Sequence, residues 1–288
     1  MGPYAFLLRQ TETDVLFHLL PNAAPGAAPA AAPEAEAALR EYLTLSVALE
    51  PLHSAFSAAD RRFSALAPFL RGARMLRQDP VECLFSFICS SNNNISRIRG
   101  MVERLASAFG TRLEPPAGGA SHRQFFAFPS LEQLAAADEA ALRGMGFGYR
   151  AKFVTGTAAT LAAKPGGGAA WLASLRGVPR AQAVAALAEL PGVGPKVAAC
   201  VALFSLDKHD CIPVDTHVWH LALQHYTPGL TGRTLTPRLM AEVEAAIQGV
   251  FGAYAGWAHN ALFIAELPSH RCACAAAPGL AAAGRGRS

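Results

Sequence analysis

The stretch Leu190-Pro191-Gly192-Val193-Gly194-Pro195-Lys196-Val197-Ala198 lies between two apolar segments of helical spacing, one from Ala181 to Leu190 and one starting near Pro195. Proline suits the first position of a helix, and glycine permits the tight turn at which two helices can meet. Gly192 and Gly194 also remove side chains, so backbone N–H groups can approach an anion at the positive end of the second helix. The stretch is read as a helical hairpin that binds a phosphate, although a plain tight connection would show the same glycines. Lys196 falls in the first turn of the second helix, where the dipole disfavours a cation and desolvation adds to that effect. A neutral amine, the form a Schiff-base nucleophile requires, becomes accessible there. An ordinary surface lysine is the competing reading.

Nineteen residues beyond Lys196, Pro213-Val214-Asp215-Thr216-His217-Val218-Trp219 places a carboxylate just before another apolar helix. Asp215 could be no more than an N-cap. The Val197 to Leu206 helix and the proline at 213 would, however, let the chain fold back and set that carboxylate beside Lys196, where it could stabilise positive charge developing on a sugar ring. Toward the N-terminus, Asp79-Pro80 caps and opens a helix bearing Leu84, Phe85, Phe87 and Ile88. Ser90 to Asn94 interrupts the pattern, which resumes through Ile95, Ile98, Met101, Val102 and Leu105. It pauses over a Pro/Gly-rich loop from Pro115 to Ala120 and returns from Leu131 almost to Leu267. At the start, Tyr4 to Leu8 and Val15 to Leu20 flank Thr11-Glu12-Thr13-Asp14, the pattern of a β-hairpin. The expected organisation is mainly α-helical: a small β remnant at 1–20, an Ala/Pro/Gly linker at 21–33, a helical region at 34–270 and a disordered Ala/Gly/Arg tail at 271–288.

Hydrophobic residues make up 52% of the 288 and charged residues 16%, but alanine inflates the first figure and no apolar run is long enough to span a bilayer. A soluble protein with no membrane partner is expected. The net charge of +4 points only weakly to a polyanion. Its distribution says more: between Arg61 and Arg104 eight arginines face three acids, Asp79, Glu82 and Glu103, enough to track phosphates unless they merely solvate a helix. Six cysteines without CxxC pairs read as reduced thiols, and the first ten residues show no secretory or organellar signal.

The hairpin, the lysine and the downstream aspartate resemble the helix-hairpin-helix, Gly/Pro-rich, aspartate signature of base-excision DNA glycosylases. The likeness extends through Leu76-Arg77-Gln78-Asp79-Pro80, Cys83 to Asn94, Gly148-Tyr149-Arg150 and Tyr254-Ala255-Gly256-Trp257-Ala258, and in that order it resembles the eukaryotic 8-oxoguanine DNA glycosylase/lyase family. The resemblance implies the helix-hairpin-helix glycosylase fold, a monomer acting on double-stranded damaged DNA, no cofactor and no metal-binding side chains. It also implies a nuclear location, with an organellar form open. In the reaction, Lys196 would be the nucleophile and Asp215 its electrostatic partner, excising 8-oxoguanine opposite cytosine through an imine before β-elimination. Asn92 would fill the vacated stack, Arg97 and Arg150 would read the estranged cytosine, and Tyr149 would wedge the duplex. Cys200, Phe204, His259 and Phe263 would line the base pocket, while Gly192, Gly194 and His217 would meet phosphates. Taken alone, Cys200 and Phe263 read equally well as core residues.

Three departures from the family pattern bear on lesion choice. The family has a further N-terminal β-rich portion with a glycine carbonyl that tests the N7 proton of oxidised guanine, which this chain is expected to lack. His259 stands where the family has a base-reading glutamine, and Phe204 where it usually has methionine. Cleavage of abasic DNA is therefore expected to survive better than excision, with base reading that varies with pH near 6.5 as His259 titrates. The alternatives are a non-catalytic or lyase-only DNA-binding form and an endonuclease III-type glycosylase. The latter would lack its iron–sulfur cluster, since only Cys272 and Cys274 follow the helical region.

Overall fold

The computed structural model describes residues 4–20, 32–113 and 124–266. It opens with an antiparallel hairpin of β1 (Ala5–Gln10) and β2 (Val15–Leu20), registered from Ala5 opposite Leu20 to Gln10 opposite Val15. Thr11 closes the turn by donating its N–H and hydroxyl to the Asp14 carbonyl. The expected linker lies outside the described residues as far as residue 31, but it ends sooner than foreseen. Helix α1 (Ala32–Tyr42) already includes Ala32 and Pro33, because proline is tolerated in a first turn whose N–H groups have no helical partner. The Pro115 to Ala120 loop and the 271–288 tail also lie outside the described residues.

Helices follow almost without interruption: α2 (Leu49–Ala59), α3 (Arg61–Leu66), α4 (Pro80–Ile88), α5 (Ile95–Phe109), α6 (Leu131–Ala135), α7 (Glu139–Gly144), α8 (Arg150–Ala162), α9 (Gly168–Ser174), α10 (Arg180–Ala188), α11 (Pro195–Ser205), α12 (Thr216–His225), α13 (Pro237–Phe251) and α14 (Ala255–Glu266). A two-residue strand pair, β3 (Arg112–Leu113) with β4 (Phe125–Phe126), is too short to leave a period in the sequence. Local chemistry starts several helices. Asp79 accepts from the Val81 and Glu82 N–H groups with Pro80 in the first turn, as its sequence indicates, and Asn94 accepts from Arg97 N–H to start α5.

Two hydrophobic clusters share α11. One gathers Phe56, Phe63, Trp219, Val243, Ile247, Phe251 and Trp257 with Ala199, Ala202 and Leu203; the other gathers Leu84, Phe85, Ile88, Leu142, Phe147, Val154 and Leu187 with Val197, Ala198 and Val201. Helix α11 is therefore buried almost all round. Pro195 at its start is exposed, while Lys196 and Phe204 are half-buried. A helix enclosed on every side needs close backbone approaches, and Gly256 supplies one. A Cβ added there would stand 2.4 Å from Leu203 Cδ1 and 2.6 Å from the Cys211 carbonyl oxygen. Gly256→Ala is expected to destabilise the fold by about 1–3 kcal/mol through overpacking, read as a lower urea midpoint at unchanged slope.

Candidate active site and DNA interface

The hairpin forms where expected, between α10 and α11, but its two glycines do different work. Gly192 has φ +76°, a left-handed conformation, and a Cβ there would meet Phe153 at 2.4 Å. Its task is the turn and the packing of α8 against it, helped by Thr157 Oγ1, which donates to the Pro191 carbonyl at 2.7 Å. Gly194 instead borders open space. It is the N-cap of α11 and offers no side chain to the first N–H groups, which leaves them to an outside acceptor.

Residues 196, 200 and 204 follow one another at helical spacing along one face of α11. Lys196 Nζ stands 5.6 Å from the centroid of the Phe87 ring, and Phe87 stacks on Phe204 at 5.4 Å and 22°. Burial pushes the Cys200 thiol up to about 12, Lys196 works against that shift and Asp215 with it, so one buried sulfur senses both groups. Asp215 is indeed an N-cap: Oδ1 accepts from His217 and Val218 N–H, each at 3.0 Å. The cap is made without Oδ2, so capping and a second role are compatible. His217 is exposed, and Phe263 lies beside His259 with ring centroids 6.5 Å apart.

The loop between α11 and α12 is held along most of its length. Arg77 grips Asp207 with two bonds of 2.8 Å, and Lys208 Nζ donates to the Arg176 carbonyl at 2.7 Å. His209 accepts from Trp257 Nε1 at 3.0 Å, stacks on Tyr254 and receives the Gly256 N–H on its carbonyl. The Asp210 carbonyl accepts from Gln248 Nε2 at 2.8 Å.

A second constellation brings Asn92, Tyr149 and Arg150 together. Asn92 has φ +46°, a conformation asparagine tolerates better than most residues with a Cβ. Tyr149 is 47% exposed and its hydroxyl donates to the Ser91 carbonyl at 3.0 Å. Arg150, by contrast, is only 3% exposed: its Nε and Nη2 donate to the Ser91 carbonyl, and Nη2 reaches the Asn92 carbonyl at 2.9 Å. Arg97 lies exposed on α5.

Side-chain direction changes two sequence expectations. Of the eight arginines expected to track phosphates, Arg62 is buried, Arg74 donates to the Thr44 and Val47 carbonyls, and Arg77 pairs with Asp207 and Glu41. His259 is not a group that titrates near 6.5. It is 8% exposed, and burial lowers its pKa to about 4, opposed by Asp215 and reinforced by Arg62. Phe87 and Arg62 are the site neighbours that sequence reasoning missed. Phe87 carried only the signal of an apolar helix position, and Arg62 only that of surface charge.

The unfolded chain takes up a proton on His259 below about 6.5, the folded chain only near 4. Stability from this group is complete above 6.5 and drains away as pH falls toward 4, on the order of 3 kcal/mol in full. His259→Gln is expected to flatten that acid limb in urea titrations between pH 7 and 4; an unchanged limb would show that other groups cause it.

Among the described residues no group of three or more His, Cys, Asp or Glu could hold a metal ion, and no helix is long and apolar enough to cross a membrane. The family of 8-oxoguanine DNA glycosylase N-terminal domains matches residues 2–84, and the family of HhH-GPD superfamily base excision DNA repair proteins matches 85–243. The N-glycosylase/DNA lyase OGG1 of Arabidopsis thaliana is 50% identical over 271 residues, which cover 94% of this chain and 72% of that protein. The N-glycosylase/DNA lyase of Saccharomyces cerevisiae is 36% identical over 80% of this chain and 66% of that protein. Among solved structures, MBOgg1 in complex with a low-affinity DNA ligand superposes with a TM-score of 0.74 at 25% identity, covering 90% of this chain and 80% of that one. The 8-oxoguanine glycosylase/lyase of Clostridium acetobutylicum, solved with double-stranded DNA containing cytosine opposite 8-oxoG, shares the fold with the same TM-score and coverage at 24% identity. The shared hairpin fold and these matches together show that the chain belongs to the HhH-GPD superfamily of base excision DNA repair proteins, in its 8-oxoguanine DNA glycosylase family.

Proposed function

We propose that this chain is a bifunctional DNA glycosylase/lyase that excises 8-oxoguanine opposite cytosine and then cuts the strand. The observation that carries the reading is that Lys196 and Asp215, at the starts of two different helices, both act electrostatically on the buried Cys200 thiol one turn along from Lys196. With the damaged base turned out of the duplex, the Lys196 amine attacks C1′ of the deoxyribose. The glycosidic bond breaks with its electron pair leaving on the base, and the Asp215 carboxylate stabilises the positive charge that develops on the sugar. The attached amine gives up one proton to the departing base, and the C1′–O4′ bond then opens, its oxygen taking a proton, to leave a protonated imine between Lys196 and C1′. That imine acidifies C2′, whose proton is lost as the 3′ phosphate departs, and water finally hydrolyses the imine to free the amine. Cys200 and Phe263 flank the base, Phe204 and Phe87 close the pocket wall, and His259 meets the base edge as a neutral ring with one donor and one acceptor. The N–H groups left open at Gly194 take a phosphate, with His217 beside a second one. A monomer on nuclear DNA completes the reading.

At the wedge, Asn92 enters the vacated stack and Tyr149 kinks the duplex, an arrangement supported by their adjacency through Ser91. Arg150 is committed to the carbonyls beneath them, so it anchors the wedge loop while Arg97 does the main reading of the cytosine.

Borohydride is expected to trap the protein covalently on DNA holding an abasic site, and Lys196→Gln to abolish the trapped band. Asp215→Asn keeps a capping oxygen, so it should fold and bind DNA normally yet release base far more slowly in single-turnover assays. Equal trapping by the Lys196→Gln protein would remove the nucleophile assignment. Arg97→Ala is expected to cut the preference for cytosine opposite the lesion by roughly 1–3 kcal/mol. Arg150→Ala should lower activity against every opposing base alike, and a selective loss of cytosine preference in that variant would return the reading role to Arg150.

A further inference from the structure

We infer that Arg180 and Glu244 form a clamp that sets the position of Asp215 relative to Lys196, an inference that rests on the glycosylase/lyase reading above. Arg180 opens α10, the first helix of the hairpin, where the positive end of the helix dipole disfavours a cation. Two carboxylates offset that: Asp210 lies 3.3 Å from its Nε, and Glu244 on α13 accepts from its Nη1. The same Glu244 oxygen accepts from the Ile212 N–H at 3.2 Å. One carboxylate thus ties the hairpin to the backbone that ends, three residues later, in Asp215.

A cavity of about 260 Å³ gives the tie its importance. It lies among Lys196, Ala199, Ile212 and Val214, with Arg180 and Glu244 in its wall. Close-packed neighbours would fix the spacing between α11 and residues 211–214 by contact. Ala199, Ile212 and Val214 still share one hydrophobic cluster, but on the side of this gap apolar packing is incomplete, and the hydrogen bonds in its wall add the directional hold that packing lacks there. Arg180 and Glu244 are 34% and 24% exposed, a setting in which an ion pair contributes little to stability. Their contribution is to position, and a displacement of about 1 Å between reacting groups can cost about 100-fold in rate.

The test compares the full chain with Glu244→Ala, Glu244→Gln and Arg180→Leu. Four quantities are measured: single-turnover base release, cleavage at an abasic site, affinity for DNA carrying a tetrahydrofuran abasic analogue, and the thermal midpoint. Glu244→Ala is expected to slow both reactions about 10- to 100-fold while DNA affinity stays within about twofold. Glu244→Gln keeps an acceptor for the Ile212 N–H and should recover most of the rate. Arg180→Leu, which retains an apolar stem, should behave like the alanine variant and carries the test if Glu244→Ala fails to fold. Unchanged rates, a loss that follows DNA affinity, or a glutamine variant as slow as alanine would overturn the clamp alone, provided borohydride traps the unmodified chain. Absence of that trapping would overturn the enzymatic reading and the clamp with it.

Discussion

Enclosure of α11 between two hydrophobic clusters is the constraint on which the rest of the molecule depends. A helix with apolar neighbours on nearly every side cannot tilt or slide without opening voids in both clusters, and each void has a cost that grows with its volume. Its N-terminus is where it meets solvent, and Gly194 leaves that end uncapped by any side chain. Lys196 therefore projects from a fixed frame, although lysine itself has one of the most flexible side chains. The Asp215 side obtains comparable rigidity by another route. Residues 207–212 form no regular structure, yet hydrogen bonds or ion pairs from α10, α13, α14 and the segment before α4 hold them.

Those two routes explain which parts of the site were legible in the sequence. Turn glycines, a helix-opening proline and a capping aspartate act within a few residues of themselves, so the hairpin, Lys196, Asp215 and the start of α4 could be placed from local pattern. The break from Ser90 to Asn94 was legible in the same local way, but the roles of Asn92, Tyr149 and Arg150 came only from the family resemblance, since a break shows where a loop lies and not what it does. Direction and burial of long side chains are set by distant partners. Nothing near Arg150 in the sequence announces that the Ser91 and Asn92 carbonyls will hold it, and nothing near His259 announces that α3 brings Arg62 toward it.

The protonation of His259 shows how large that difference can be. As an isolated residue type it is a switch in the physiological range. Buried in the protein, with a buried arginine reinforcing the desolvation, it is a neutral ring across that whole range, and the nearby Asp215 only partly offsets the shift. A neutral ring presents the same donor and acceptor at pH 6 and at pH 8.

If the loop of Asn92 is the wedge proposed above, the hold of Arg150 on it bears on how such a protein could search a genome. A loop that became ordered only on meeting DNA would lose conformational entropy at every base pair it tested, and nearly all of those pairs are intact. Here Arg150 and Tyr149 keep the loop ordered in the free protein, and Asn92 already has its left-handed backbone. The ordering cost falls once, during folding, and is not repeated at each encounter. Brief visits to undamaged sequence can then end quickly, because releasing the duplex requires no part of the loop to unravel.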